Sequence, residues 1–188
     1  MEAGQTDKSW LSALKLAGQS EAMQMNIVAI GAHPDDLEIF TFGFLAAASA
    51  RGDTLYLGVA TDGAAGGENP GPELATQRAN ETSAGLAPLG KPTLLGLPDG
   101  RLADAPEARE QITDFIRAAA PDLVITHAPE DYHPDHRALS SFVTDAAGFI
   151  CPVLFCDTLM GVGFTPDYYI DISEHFTAKQ NAIMAHNS

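Results

Sequence analysis

The chain has 188 residues, with 25 acidic against 10 basic side chains and a formal charge of −15. That length suits one domain with a real core and is short for two, and the charge argues against a nucleic-acid partner or an anionic membrane surface. No apolar stretch approaches the ~20 residues of a membrane span, and the only cysteines, Cys151 and Cys156, read as opposite-facing positions of one strand that cannot easily pair, which fits a reducing, cytoplasmic setting.

Residues 1–25 carry Trp10, Leu11 and Leu14 at helical spacing and read as an amphipathic extension that packs on the domain or on a neighbouring subunit; the domain proper spans 26–188. Residues 26–30 form an apolar run of buried-strand type, and the Leu37, Phe40, Phe44, Ala48 spacing predicts a helix with one apolar face. Between them, at a strand-to-helix turn, stands His33-Pro34-Asp35-Asp36. Residues 54–60 are a second strand, so strand, helix and strand make a βαβ unit and the sheet is at least partly parallel. The loop 61–72, with four glycines and two prolines, should emerge at the same sheet edge as His33.

A helix over 73–86 carries Gln77, Arg78 and Glu81, and a short strand over 92–97 leads into the turn Pro98-Asp99-Gly100. Ile112, Phe115, Ile116 and Ala119 give residues 104–120 a helical apolar side, which Pro121 stops. The buried strand 123–126 runs into His127 and then His133-Pro134-Asp135-His136, where Pro134 suits a first helical position and His136, Leu139, Phe142 and Val143 face inward. Residues 153–155 are a further strand, 168–172 an extended piece, and 173–185 a helix capped by Ser173 with Phe176 and Ile183 turned inward. The fold class is α/β, a Rossmann-like three-layer sandwich with a mostly parallel sheet.

Two His/Asp clusters thus fall at strand-to-helix turns that open toward one edge of a parallel sheet, where ligands bind in such folds. A catalytic zinc site wants three His or carboxylate ligands and one open position. His33 and Asp36 can converge from one turn and His136 from the other, and the same set suits iron(II). Asp35, His133 and Asp135 remain as the residue types that proton transfer needs. Each taken alone reads more simply as a helix-start residue favoured by capping or the dipole; their joint placement carries the metal reading.

The Ala-His-Pro-Asp-Asp turn at 32–36, the Pro-Asp-Leu-Val-Ile-Thr run at 121–126 and the His-Pro-Asp-His at 133–136 resemble the PIG-L/LmbE family of zinc-dependent N-deacetylases, from residue 26 onward. Thr61 with the glycine loop, Arg78-x-x-Glu81, Asp99-Gly100 and Asp171-Ile172-Ser173 add weaker matches. The resemblance implies hydrolysis of the acetamide of an N-acetylglucosamine-type small molecule, with zinc ligands His33, Asp36 and His136 and with Asp35 as general base. It further implies that His133 stabilises the oxyanion or protonates the leaving amine, oriented by Asp135, and that Arg78 and Asp99 contact the sugar. If Asp135 pairs with His133, the imidazolium is favoured. Relatives often form trimers or hexamers, and they continue past residues 185–188 with a segment that shapes the substrate side; without it the pocket is more open or is closed by another subunit. Tyr132 reads as a surface residue or a lid.

Two rival functions carry less. A non-catalytic metal- or nucleotide-binding Rossmann-like module would keep a glycine fingerprint at the first turn, which His33-Pro34-Asp35-Asp36 replaces. A zinc phosphoesterase would need a second metal or a basic clamp, for which only Arg78, Arg101 and Arg137 stand near the loops.

Overall fold

A computed structural model describes residues 23–188. Five strands, β1 (Asn26–Gly31), β2 (Thr54–Thr61), β3 (Thr93–Leu97), β4 (Leu123–His127) and β5 (Val153–Cys156), form one sheet in the order β3-β2-β1-β4-β5. Every neighbouring pair is parallel, with Ile27 opposite Leu55 on one side and Leu123 on the other. The helices are α1 (Phe42–Arg51), α2 (Pro72–Leu86), α3 (Ala108–Ala118), α4 (Pro134–Ala147) and α5 (Phe176–Ile183).

Strand alternation sorts them into two layers. Val28 and Ile30 of β1 pack with Ile112 and Ile116 of α3 and Leu139 and Val143 of α4. Ile27 and Ala29 point the other way, into Phe42 and Leu45 of α1, Leu86 of α2 and Ala182 of α5. The three-layer α/β reading therefore holds. Because β2 and β4 flank β1 on opposite sides, the strand order reverses there, and the crevice outside the carboxyl ends of β1 and β4 is where such a sheet binds ligands.

Local chemistry moves several boundaries. The first helix opens with a π-turn, Leu37–Thr41, whose extra residue shifts the inward face to Leu37, Thr41, Phe42, Leu45 and Ala48. Phe40 and Phe44, expected in the core, are half-buried instead. Helix α3 starts at Ala108 rather than 104, since Ala105 precedes Pro106 and is held extended at φ −77°, ψ 113°. Residues 168–172 are not assigned as a strand among the described residues; Ile172 packs over Gly43, where a Cβ would lie 2.7 Å from its side chain. Ser173 does not cap α5: a short 3-10 turn, Ser173–His175, comes first, and Asp171 Oδ1 accepts from the Ser173 amide and hydroxyl at 2.9 and 2.6 Å. Phe176 is half-exposed, and Ala182 is the α5 residue that is buried. Cys151 precedes β5 rather than lying on it, and both thiols are free. The expected N-terminal extension lies outside the described residues apart from its last three, 23–25.

Helix α3 comes close to β2 at Gly58. A Cβ on Gly58 would stand 2.6 Å from Phe115 Cε1. We expect Gly58→Ala to destabilise the fold by about 1–3 kcal/mol through overpacking, read as a lower urea midpoint; an unchanged midpoint would mean that Phe115 swings aside.

Candidate metal centre and active site

Strand β1 ends at Gly31, and the next five residues fold back on themselves: the Asp36 amide donates to the His33 carbonyl at 3.3 Å, and Asp36 Oδ2 accepts from the His33 amide at 2.7 Å. A Cβ on Gly31 would stand 2.7 Å from Asp36 Cβ, so glycine is what lets that side chain reach over the strand end. Asp35 has φ 119°, a conformation that a non-glycine residue adopts only under constraint from its surroundings. Strand β4 ends at His127, and a loop leads to His133, the N-cap residue of α4, with Pro134 and Asp135 in the first turn and His136 facing in.

The two turns meet. His33 Nδ1, His136 Nε2 and Asp36 Oδ2 form a triangle with sides of 3.2, 3.4 and 3.4 Å. Metal–ligand bonds of about 2.0–2.1 Å in a tetrahedron imply edges of about 3.3–3.4 Å, so these three donors fit one face of such a site. His127 Nε2 also lies 3.1 Å from Asp36 Oδ2. Its ring is stacked on His136 at 3.7 Å and 11°, however, so the two ring planes do not converge on one ion, and His127 Nε2 already accepts from the Ala32 amide at 3.0 Å. The other nitrogen of His33, Nε2, faces away from the triangle, 3.2 Å from both Asp99 Oδ1 and Asp135 Oδ2.

Charge supports a cation here. Asp35, Asp36, Asp99, Asp131 and Asp135 crowd around these rings, and the guanidinium of Arg78 is bonded to Asp35. Burial works against a charged His33, but Asp135, Asp36 and Asp99 outweigh it and push its pKa up to about 12. Burial likewise opposes ionisation of Asp36, yet His127, His136 and His33 hold its carboxyl well below the usual range. A dication held here would be balanced by the same anionic shell. Asp35 behaves differently: burial and the charge of Asp36 raise it to about 6, with Arg78 pulling the other way.

The geometry alters three expected roles. Asp135 does not hold His133 with its carboxylate. Its oxygens accept from the Gly100 and Leu102 amides at 2.7 and 3.0 Å and face His33, so it ties the 99–102 turn to the first histidine. His133 Nδ1 instead accepts from the Asp135 amide at 3.3 Å, as an N-cap does, which leaves its proton on Nε2 and the ring neutral. Burial and the charges of His33 and His136 lower its pKa, opposite to the imidazolium expected. Arg78 is buried, with NH2 on Asp35 Oδ2 and the Pro34 carbonyl, each at 2.9 Å, and NH1 on the Gly63 carbonyl at 3.2 Å. It therefore grips the ligand turn rather than lying open to a sugar. Asp99 Oδ2 takes the Ala65 amide at 2.9 Å, and Tyr132 is exposed.

Three residues at the site had been given no role from sequence. Asp131, buried in the loop before the second motif, accepts from His136 Nδ1 at 3.0 Å and from the His133 amide at 2.9 Å, so one carboxylate orients both histidines. A carboxylate two and five residues ahead of two histidines was the available signal. His127 is stacked as described, and Phe40, released by the π-turn, packs its ring edge-on at 5.8 Å from His127 and 6.2 Å from His136. Because Asp131 fixes the tautomer of His136, Asp131→Asn should weaken metal binding about 10–100-fold, measured by competition with a chromophoric chelator; unchanged affinity would reduce Asp131 to a loop staple.

The family model for PIG-L, GlcNAc-PI de-N-acetylase, matches residues 28–147, which hold every member of the ligand triangle. The chain is 31% identical over 185 residues to the diacetylchitobiose deacetylase of Thermococcus kodakarensis, covering 86% of this chain and 69% of that one. Among solved structures it resembles the conserved protein TT1542 of Thermus thermophilus (28% identity, TM-score 0.74, 86% of this chain and 78% of that one). It also shares its fold with the N,N'-diacetylchitobiose deacetylase of Pyrococcus horikoshii (24% identity, TM-score 0.76, 98% of this chain and 80% of that one). On the family match and the identity to the Thermococcus enzyme, the chain belongs to the PIG-L family of de-N-acetylases, hydrolases of amide bonds.

Proposed function

We propose that the protein removes the acetyl group from a small N-acetylglucosamine-type molecule, with a divalent cation, zinc before iron(II), held by His33, Asp36 and His136. The observation that carries this reading is the triangle of ligand atoms with Asp35 on the same turn as two of its corners. When bound, the cation supplies Lewis acidity, acidifying a water molecule and polarising the acetamide carbonyl. Asp35 accepts the proton of the attacking water. Its strained backbone and its bond to Arg78 aim one oxygen and leave the other free, and a pKa raised toward neutrality suits a general base.

His133 Nε2–H, on a neutral ring fixed by its N-cap bond, donates to the carbonyl oxygen as negative charge builds there. A neutral donor at a helix N-terminus does this without first giving up its proton. Collapse breaks the C–N bond as the amine takes the proton that Asp35 holds, and the acetic acid so formed gives its own proton to the freed amine or to solvent and leaves as acetate. Asp135, through His33, and Asp131, through His136, keep the ligand rings aimed. In this reading Arg78 and Asp99 bound the sugar side of the pocket chiefly by shaping the turn and the 63–65 loop.

The acetylated amino sugar follows from the Thermococcus relative, a deacetylase of diacetylchitobiose. We further propose that residues 26–188 are the deacetylase domain behind an extension at 1–25, that copies of the chain form a trimer or hexamer, and that the protein works in the cytoplasm, in keeping with two free thiols. Among the described residues no helix is long and apolar enough to cross a membrane. Freed amine is measured with fluorescamine on N-acetylglucosamine and its short oligomers, before and after chelation and after return of zinc or iron(II). Release that stops with chelator and returns with metal is expected; absence of release from every acetylated sugar overturns the reading.

A further inference from the structure

A second polar cluster begins two residues beyond the ligand turn. Glu38, in the π-turn, is fully buried, and its Oε1 accepts from Thr82 Oγ1 at 2.7 Å and from His186 Nε2 at 3.0 Å. Thr82 stands one helical turn after Arg78 on α2, so a single face of that helix grips Asp35 through Arg78 and Glu38 through Thr82. The residues after His186 are held too: Glu81 accepts from the Asn187 amide at 3.1 Å and from Ser188 Oγ at 2.7 Å. Gly85 makes the space, since a Cβ there would stand 3.0 Å from Glu38 Oε1.

This cluster is a poor way to gain stability. Glu38 Oε2 and His186 Nδ1 are buried with no hydrogen-bond partner among the described residues, the Glu81 carboxylate lying 3.9 Å from Nδ1. A buried ion pair left half satisfied is commonly matched or bettered by apolar side chains of the same size. Its mechanical connection is more informative. The amide of Ile39, next to Glu38 in the π-turn, donates to the Asp35 carbonyl at 2.9 Å. Asp35 has the strained φ of 119°, and such a residue keeps its conformation only where several neighbours fix it together. Arg78 fixes it from the side chain, and the π-turn from the backbone. His186 also lies close enough to Asp35 for their charges to act on each other.

We propose that His186 is a positioning residue for Asp35, acting through Glu38 and the π-turn that holds the Asp35 carbonyl. The proposal rests on Asp35 being the proton acceptor. It is tested by steady-state kinetics of amine release from N-acetylglucosamine oligomers, with metal content and melting temperature measured on each variant of the full chain. His186→Ala should lower kcat about 10–100-fold at unchanged KM and unchanged metal per chain. His186→Gln, whose amide N–H can reach Glu38 Oε1, should restore most of that loss. If His186→Ala does not fold, Thr82→Val removes the other bond to Glu38 and should give the same kcat-only loss.

A wild-type kcat per metal-loaded chain in His186→Ala, whatever its melting temperature, overturns the proposal, and so does a His186→Gln enzyme as impaired as the Ala variant. Asp35→Asn is assayed beside them. An active Asp35→Asn enzyme overturns the assignment of Asp35 itself, whereas an inert one beside an unimpaired His186→Ala overturns only the role given to His186.

Discussion

Asp35→Asn lowers kcat by about 10²–10⁴-fold, the usual share of a positioned general base, and leaves the metal content of the chain unchanged. The asymmetry follows from the turn. Asp35 contributes no corner to the triangle formed by His33, Asp36 and His136, and its carboxylate faces Arg78 instead. Asparagine keeps the shape, tolerates positive φ better than most residues, and keeps an oxygen that can accept from Arg78. What it lacks is the capacity to take a proton from water and return it to the amine. Metal content by atomic emission and kcat on N-acetylglucosamine oligomers decide the matter together. Loss of metal along with activity would place Asp35 among the ligands, and full activity would move the base elsewhere.

The sheet was legible in the sequence because each strand is an apolar run followed by a helix with a separable period, and that alternation dictates parallel pairing. The meeting of the two His/Asp clusters was legible for the same reason: His33 and Asp36 follow one such run, and His136 follows another. The supporting residues were less so. Whether Asp131 or Asp135 serves His133 depends on where the 99–102 turn delivers the Gly100 and Leu102 amides, and these come from a different βα loop more than thirty positions earlier. Those amides capture the Asp135 carboxylate, and the backbone amide that remains makes His133 a neutral cap. The spacing of Phe40 and Phe44 misled because a π-turn adds a residue without any change in hydrophobic pattern; the displaced ring of Phe40 then serves the histidines. The resemblance put Arg78 against the sugar. It became the clamp of Asp35 only once the 61–72 loop and the 33–36 turn were adjacent in space.

His136→Ala removes the metal, and with it all measurable turnover. His136 supplies a full corner of the triangle, and the two donors left, His33 Nδ1 and Asp36 Oδ2, fall short of the three protein ligands a catalytic site uses. The substitution also strips Asp131 Oδ2 of its partner inside the protein, so the variant should lose about 1–3 kcal/mol of stability for that unsatisfied oxygen. The two effects separate in a second variant. In His136→Asn the side-chain amide N–H stands where imidazole Nδ1 stood and can still meet Asp131, which should recover much of the stability, while the lone pair of imidazole Nε2 is gone and metal binding is not recovered. Thermal unfolding with added zinc reads both: wild type rises with zinc because the ion binds only the folded state, by about 4 kcal/mol at a thousandfold excess over Kd, and neither variant rises. A zinc-dependent rise in His136→Ala equal to that of wild type would mean that the ion sits on other donors, and the triangle would no longer be the metal site.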